Sequence, residues 1–387
     1  MENDETKIKL GYETLWKFII RPPKDVYPLK YLGPQQFKYN SKLYQRKDYE
    51  LISHQGYKMN CSLIEPLPKY RISKKMPIVI YLHGNSSSRL EGLNTLNILL
   101  PHNINLFIVD LPGCGHSEGE YISLGYYESY DVGIIVDFLE NLPGVGNIGL
   151  WGRSMGASTA LIYAHRDKRI KAICLDSPFA NFCRLSRELT KQYINLPDFL
   201  INAVLKIISS TIKEKNGMDI FKLNPIEKAE NTFQPAIFIH AINDKLINLQ
   251  HAIDIFNIYG GEKSLKCSEI GGHNSKRPKR ITQEIGNFFE KYLCNDKNEL
   301  ENIEEKIDNI NQNIKNINDI SILNQSFVFK NTEYNNNDRE RYNLKKEENE
   351  QKNLDEIKNI LLNIKEKDIN KENSDINSIS TVDEKNQ

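Results

Sequence analysis

Between about residues 44 and 293, short solid apolar runs alternate with longer amphipathic stretches. That alternation predicts a mostly parallel sheet covered by helices on both faces, an α/β fold. The runs predict eight strands, at Tyr49–Ser53, Lys58–Ile64, Pro77–Leu82, Leu106–Asp110, Ile148–Trp151, Ile170–Leu175, Ala236–His240 and Leu265–Ile270. The first two are read as a hairpin turning at His54-Gln55-Gly56. The others are read as solid apolar runs, as expected for strands buried on both faces. Helical patterns fall between them, at about Ser88–Leu99, Gly125–Leu142, Met155–His165, Leu249–Tyr259 and Pro278–Tyr292.

The spacing breaks once. About fifty residues, roughly 181–229, separate two strands and carry helical patterns at Cys183–Ile194 and Pro197–Lys213. An insertion there suits a cap or lid. Its second helix presents Phe199, Leu200, Ile201, Val204, Leu205, Ile207 and Ile208, a stripe for packing on the core first and for lining an acyl pocket second. Residues 1–40 read as an N-terminal arm in which Pro22 and Pro23 end any helix. The arm is expected to dock on the sheet, with contact to a membrane surface, through arm or cap, as the alternative. The domain proper then covers 41–294.

Composition changes the picture at the C-terminus. Residues 295–387 lack Gly, Pro, Trp and Cys, and 22 of the 93 are Asn. The expected state is a low-complexity tail, disordered or marginally helical. Leu300, Ile303, Ile307, Ile310, Ile314 and Ile317 keep coiled-coil spacing, as do Leu354, Ile357, Leu361 and Ile364. Self-association through 300–317 is the alternative these positions raise. The tail holds 14 basic and 21 acidic residues, a net −7, so the balance of the neutral chain is about +7. No basic stripe is interleaved with aromatics, and nucleic-acid binding is not expected. Six scattered cysteines show neither metal spacing nor a disulfide framework. Together with an acidic N-terminus that has no apolar signal core, they point to a cytoplasmic protein.

Four elements carry candidate chemistry, each at the end of an expected strand. Gly152-Arg153-Ser154-Met155-Gly156 follows the strand ending at Trp151 and precedes a helical run. A serine between strand and helix must sit on a sharp turn, where the tiny neighbours Gly152 and Gly156 leave room. Serine needs a base oriented by an acid. Asp244, in His240-Ala241-Ile242-Asn243-Asp244, and His273, after Gly271-Gly272, supply them in the order serine, acid, histidine. Asp176 is the rival acid and reads as structural; Asp110 ends a strand too early for that order. His83 and His116 also lie at strand ends, His83 being expected to order the loop that follows it. In His83-Gly84-Asn85 after the third expected strand, the N–H of Asn85, with that of Met155, is assigned to an oxyanion hole.

With these residues in place the sequence resembles the α/β-hydrolase superfamily, in its serine-aminopeptidase-like group. It is most similar to an uncharacterised plant and protist branch that shares Leu82-His83-Gly84-Asn85-Ser86-Ser87-Ser88-Arg89 and Gly152-Arg153-Ser154-Met155-Gly156-Ala157. The arm Phe18-Ile19-Ile20-Arg21-Pro22-Pro23, Asp110–Ser117 and Gly272–Pro278 also match, over about residues 12–293. The resemblance implies a Ser154–Asp244–His273 triad with neither cofactor nor metal. It implies a serine hydrolase acting on a small-molecule or acylated substrate, an ester or thioester, through an acyl-enzyme on Ser154. The alternatives are a peptidase or amidase and a catalytically silent binding protein, because a fold does not fix a substrate.

Overall fold

The computed structural model describes Glu13, residues 15–194 and 197–294, and four isolated positions between 344 and 352. The heptad positions at 300–317 and 354–364 lie outside the described residues. Nine strands form one sheet: β1 Gln36–Tyr39, β2 Lys42–Ile52, β3 Lys58–Pro66, β4 Met76–Leu82, β5 Asn105–Val109, β6 Val145–Arg153, β7 Ile170–Asp176, β8 Ala236–Ala241 and β9 Lys263–Ser268. Their spatial order is β1-β2-β3-β5-β4-β6-β7-β8-β9. The first three strands pair antiparallel with one another, and β3 pairs antiparallel with β5. From β5 to β9 every neighbour is parallel. The inner parallel strands are largely apolar because both faces are covered: every residue of β5 and of β8 is buried, whereas the edge strand β9 is mostly half-buried.

The longer helices among the described residues are α1 Glu128–Glu140, α2 Met155–Ala164, α3 Phe182–Ile194, α4 Asp198–Asn216, α5 Leu249–Ile258 and α6 Lys279–Leu293. Two compact units result. One runs Ile20–Phe182 and resumes at Phe221; it holds the whole sheet. The other contains Cys183–Ile220 with the chain up to Ile19. In it, Arg187 donates to Asn202 across α3 and α4 at 3.1 Å, and Lys215 stacks over the Trp16 ring at 5.0 Å. Among the described residues, no helix is long and apolar enough to cross a membrane. All six cysteines are free thiols, four of them buried.

Three departures from the expected elements have local causes. The ninth strand, β1, lies in the stretch read as an arm. Only Phe37 of its four residues is buried, too little for a period-2 pattern, and it turns into β2 at Asn40 with φ 50°. The last strand ends at Ser268, so Ile270 is 74% exposed and outside it. The expected helix over Ser88–Leu99 is a 3₁₀ turn at Glu91–Thr95 followed by one α turn, Leu96–Leu99. Its N–H groups reach the i−3 carbonyls, Glu91 to Ser88 O at 3.0 Å and Gly92 to Arg89 O at 3.2 Å, the tighter 3₁₀ winding, while Arg89 N–H goes to Asp110.

That last bond belongs to a buried hub. Asp110, fully buried at the end of β5, accepts from the N–H of Arg89 at 2.7 Å, the Tyr27 hydroxyl at 2.8 Å and the N–H of His116 at 3.1 Å. Arg89 Nε lies 3.3 Å from the same carboxylate and donates to Tyr27 Oη at 2.6 Å. Burial, then the Asp110 charge, pushes the Tyr27 phenol well above its ordinary range, so it stays protonated and donates. Arg89 Nη1 also donates to Cys61 O in β3 at 3.1 Å, so the hub ties the arm, β3 and the loop after β4 together. Removing one member of a buried pair leaves the other charge uncompensated, at a cost of about 3–5 kcal/mol. Asp110→Ala is expected to lose that much in urea unfolding; a loss under about 1 kcal/mol would show that the hub does not hold the arm.

Candidate functional site

β6 delivers the chain to Ser154 and α2 takes it away at Met155, leaving one residue for the reversal. Ser154 has φ 53° and ψ −116°, a conformation that costs a non-glycine residue roughly 1–3 kcal/mol. Backbone bonds hold it there. Its N–H donates to Asp176 O at 2.8 Å, and its carbonyl accepts from Ala157 and Ser158 at 3.0 and 3.1 Å. The flanking glycines have no alternative. A Cβ on Gly152 would stand 2.1 Å from Gly156 O, and one on Gly156 would stand 2.0 Å from Leu82 O. With its hydroxyl at the N-terminus of α2, Ser154 sits where developing negative charge is favoured.

Asp244 lies three residues beyond β8. Its Oδ1 accepts from the N–H groups of Leu246 and Ile247, both at 2.9 Å, which fixes the plane of the carboxylate. Its Oδ2 faces His273 Nδ1 at 2.7 Å, and His273 Nε2 is 3.0 Å from Ser154 Oγ. With the proton on Nδ1, the ring donates to Asp244 and accepts from the serine hydroxyl. Burial works to raise the Asp244 pKa, but the His273 hydrogen bond and charge outweigh it and hold the carboxyl below its usual range. His240, at the end of β8, donates from Nε2 to Ile247 O at 2.8 Å and lies 3.4 Å from Asp244 Oδ2. Burial depresses its pKa, which keeps the ring neutral beside the acid.

The remaining sequence candidates separate cleanly. Asp176 is bound by Arg277, with Nε at 3.0 Å and Nη2 at 2.7 Å, and does not reach His273. His83 accepts from Leu111 N–H through Nε2 at 3.1 Å and donates from Nδ1 to Gly84 O at 2.8 Å, bracing the loop after β4. His116 meets the backbone carbonyl of Tyr27 at 2.7 Å. Among the described residues, no protein acceptor engages the N–H of Asn85 or of Met155. Two arginines hold the histidine loop by its backbone. Arg153 donates to His273 O at 2.7 Å, and Arg277 donates to Gly272 O at 3.1 Å. Glu91 links Arg153, at 3.1 Å, to the N–H of Gly84, also at 3.1 Å.

Comparison with known proteins agrees with this fold. A model of the alpha/beta hydrolase fold matches residues 77–213. The Pyrococcus furiosus esterase Pf2001 superposes at a TM-score of 0.53 and 22% identity, covering 70% of this chain and 99% of that one. The chain has the α/β-hydrolase fold. The α/β-hydrolase body is also similar to the uncharacterized protein YqkD of Bacillus subtilis, 31% identical over 199 residues, 50% of this chain and 64% of that protein. The lysophosphatidylserine lipase ABHD12 of Rattus norvegicus is 25% identical over 210 residues. Those residues are 51% of this chain and 49% of the rat protein, so the chain spans only part of either relative's length.

Glu91, His240, Arg153 and Arg277 were not singled out by sequence reasoning. Arg153 and Arg277 stand inside motifs that were, but their acidic partners lie 62 and 101 residues away. Nothing in a linear pattern joins them. The glycine positions make a sharper demand. An added methyl at Gly156 meets only backbone, Leu82 O at 2.0 Å and His83 O at 2.8 Å, and no flexible side chain can yield. Gly156→Ala is expected to cost more than about 2 kcal/mol in urea unfolding, the upper part of the overpacking range. A variant as stable as wild type would mean that β4 and α2 can separate there.

Proposed function

We propose that this α/β-hydrolase chain is a serine hydrolase that cleaves a carboxylic ester or thioester of an acyl group through an acyl-enzyme on Ser154. The observation that carries the reading is the continuous chain Ser154 Oγ–His273 Nε2, His273 Nδ1–Asp244 Oδ2, at 3.0 and 2.7 Å. Ser154 Oγ attacks the carbonyl carbon while its proton passes to His273 Nε2. Asp244, ionised and fixed by two backbone N–H groups, steadies the imidazolium that forms. The N–H groups of Asn85 and Met155 receive the oxyanion. As the tetrahedral centre collapses, the C–O or C–S bond breaks and the leaving alcohol or thiol takes the proton from His273. Water then repeats the sequence, giving its proton to His273 and releasing the acid and Ser154.

The esterase and lipase names among similar proteins support ester chemistry over amide hydrolysis. The assignment to the serine-aminopeptidase-like group belongs to this reading rather than to the fold. A panel of acyl esters, acyl thioesters and amino-acid amides separates the two, with turnover of esters or thioesters expected.

A fluorophosphonate probe reports an activated serine directly. Folded wild type is expected to label, Ser154→Ala to lose labelling entirely, and His273→Ala to lose about 10⁴-fold or more in kcat, as triad residues acting as a unit do. Equal labelling of wild type and Ser154→Ala would sink the proposal.

A further inference from the structure

The loop after β4 and the loop after β9 come from strands that are not neighbours: β6, β7 and β8 lie between β4 and β9. A line of polar contacts nevertheless connects them. Gly84 N–H donates to Glu91 Oε2 at 3.1 Å. Glu91 Oε1 accepts from Arg153 Nη1 at 3.1 Å and from the Tyr81 hydroxyl at 3.0 Å. Arg153 Nη2 then donates to the carbonyl of His273 at 2.7 Å. The Glu91 and Arg153 side chains are only 12% and 18% exposed. Each charge in so dry a place is compensated mainly by the other.

We propose that Glu91 and Arg153 are positioning residues, a charged strut that sets the spacing between the oxyanion loop and the histidine loop. The assignment rests on the reading of Ser154, His273 and Asn85 above. Gly84 immediately precedes Asn85: Glu91 holds the Gly84 N–H, and His83 Nδ1, donating to Gly84 O at 2.8 Å, holds the next peptide, from which the Asn85 N–H projects. At the other end, the anchored carbonyl belongs to the residue whose ring meets Ser154 Oγ. Charge-assisted bonds are shorter and stiffer than neutral ones, and a planar guanidinium holds two acceptors in fixed relative directions. Burial works against the Arg153 charge, but Glu91 and then Asp176 outweigh it, so the cation persists. Burial also holds the Tyr81 phenol far above its ordinary range, keeping it a donor to Glu91. The strut touches no substrate. It decides whether the donors and the base face the same carbonyl, and misplacement of about 1 Å is enough to cost up to 10²-fold in rate.

The test compares the full chain as wild type, Glu91→Gln, Arg153→Met and the double variant. Backbone amide exchange is read over 83–86 and 271–277, and kcat and KM on the best ester of the panel. Glu91→Gln is expected to speed exchange at least about threefold in 271–277, the segment at the far end of the strut, and Arg153→Met to do so in 83–86. Each single variant should lose about 10-fold or more in kcat, with KM within about twofold of wild type. The double variant should be no slower than the slower single one, because two parts of one strut fail together. It also removes both charges, so it supplies the same readouts if a single variant does not fold. Unchanged exchange in 271–277, or kcat losses that multiply in the double variant, would overturn the strut. Absence of Ser154 labelling in wild type would overturn the proposed function instead and leave amide exchange to decide the strut.

Discussion

Everything in the candidate site depends on one backbone reversal, at Ser154, between a strand that must stay in the sheet and a helix that must pack against it. At φ 53° and ψ −116° the serine holds a conformation that its own side chain disfavours. The sheet on one side and the close approach of Gly152 and Gly156 on the other leave no alternative. Because α2 starts at the next residue, the hydroxyl is raised clear of the strand ends and the first helical N–H groups lie beside it. The strain is thus imposed by packing that the body needs in any case, and it does not have to be stabilised by a ligand.

Three aspartates sit at or just beyond strand ends, and the structure gives each a different partner. Asp110 is enclosed by Arg89, Tyr27 and His116 and serves as a knot. Asp176 is occupied by Arg277. Asp244 alone spends one oxygen on backbone N–H groups and turns the other to a histidine. The same side chain does three jobs because its surroundings differ: an arginine neutralises a carboxylate, whereas an imidazole uses it. His240 fits this division. Kept neutral by burial, it steadies the Ile247 carbonyl without competing for the Asp244 charge.

Much of this was legible in the sequence. Strands buried on both faces leave solid apolar runs, so β4 to β8 could be located from hydropathy alone, and α3 and α4 fall within a few residues of their expected limits. Ser154 and His273 could be picked out by the glycines beside them, and Asp244 by its place after a strand and the order serine, acid, histidine. What was hidden has a common cause. β1 and the first half of β2 are mostly polar, since they lie where the sheet is half exposed, and polar strands look like loops. Glu91, Arg153 and Arg277 act through pairs formed across 62 and 101 residues, and charge pairing has no period.

The sheet supplies the position of each functional group but not its orientation, and the two come from different physics. Position follows from parallel strands whose C-terminal ends gather on one edge, where apolar burial decides register. Orientation comes from polar contacts that burial alone would disfavour: two N–H groups on Asp244, a carboxylate on Gly84, guanidinium groups on Gly272 and His273. Such contacts lie in loops, where chains of this fold differ most, so a similar sheet says little about what the loops present. The TM-score of 0.53 with an esterase at 22% identity reflects the first kind of constraint. The chemistry of this chain rests on the second.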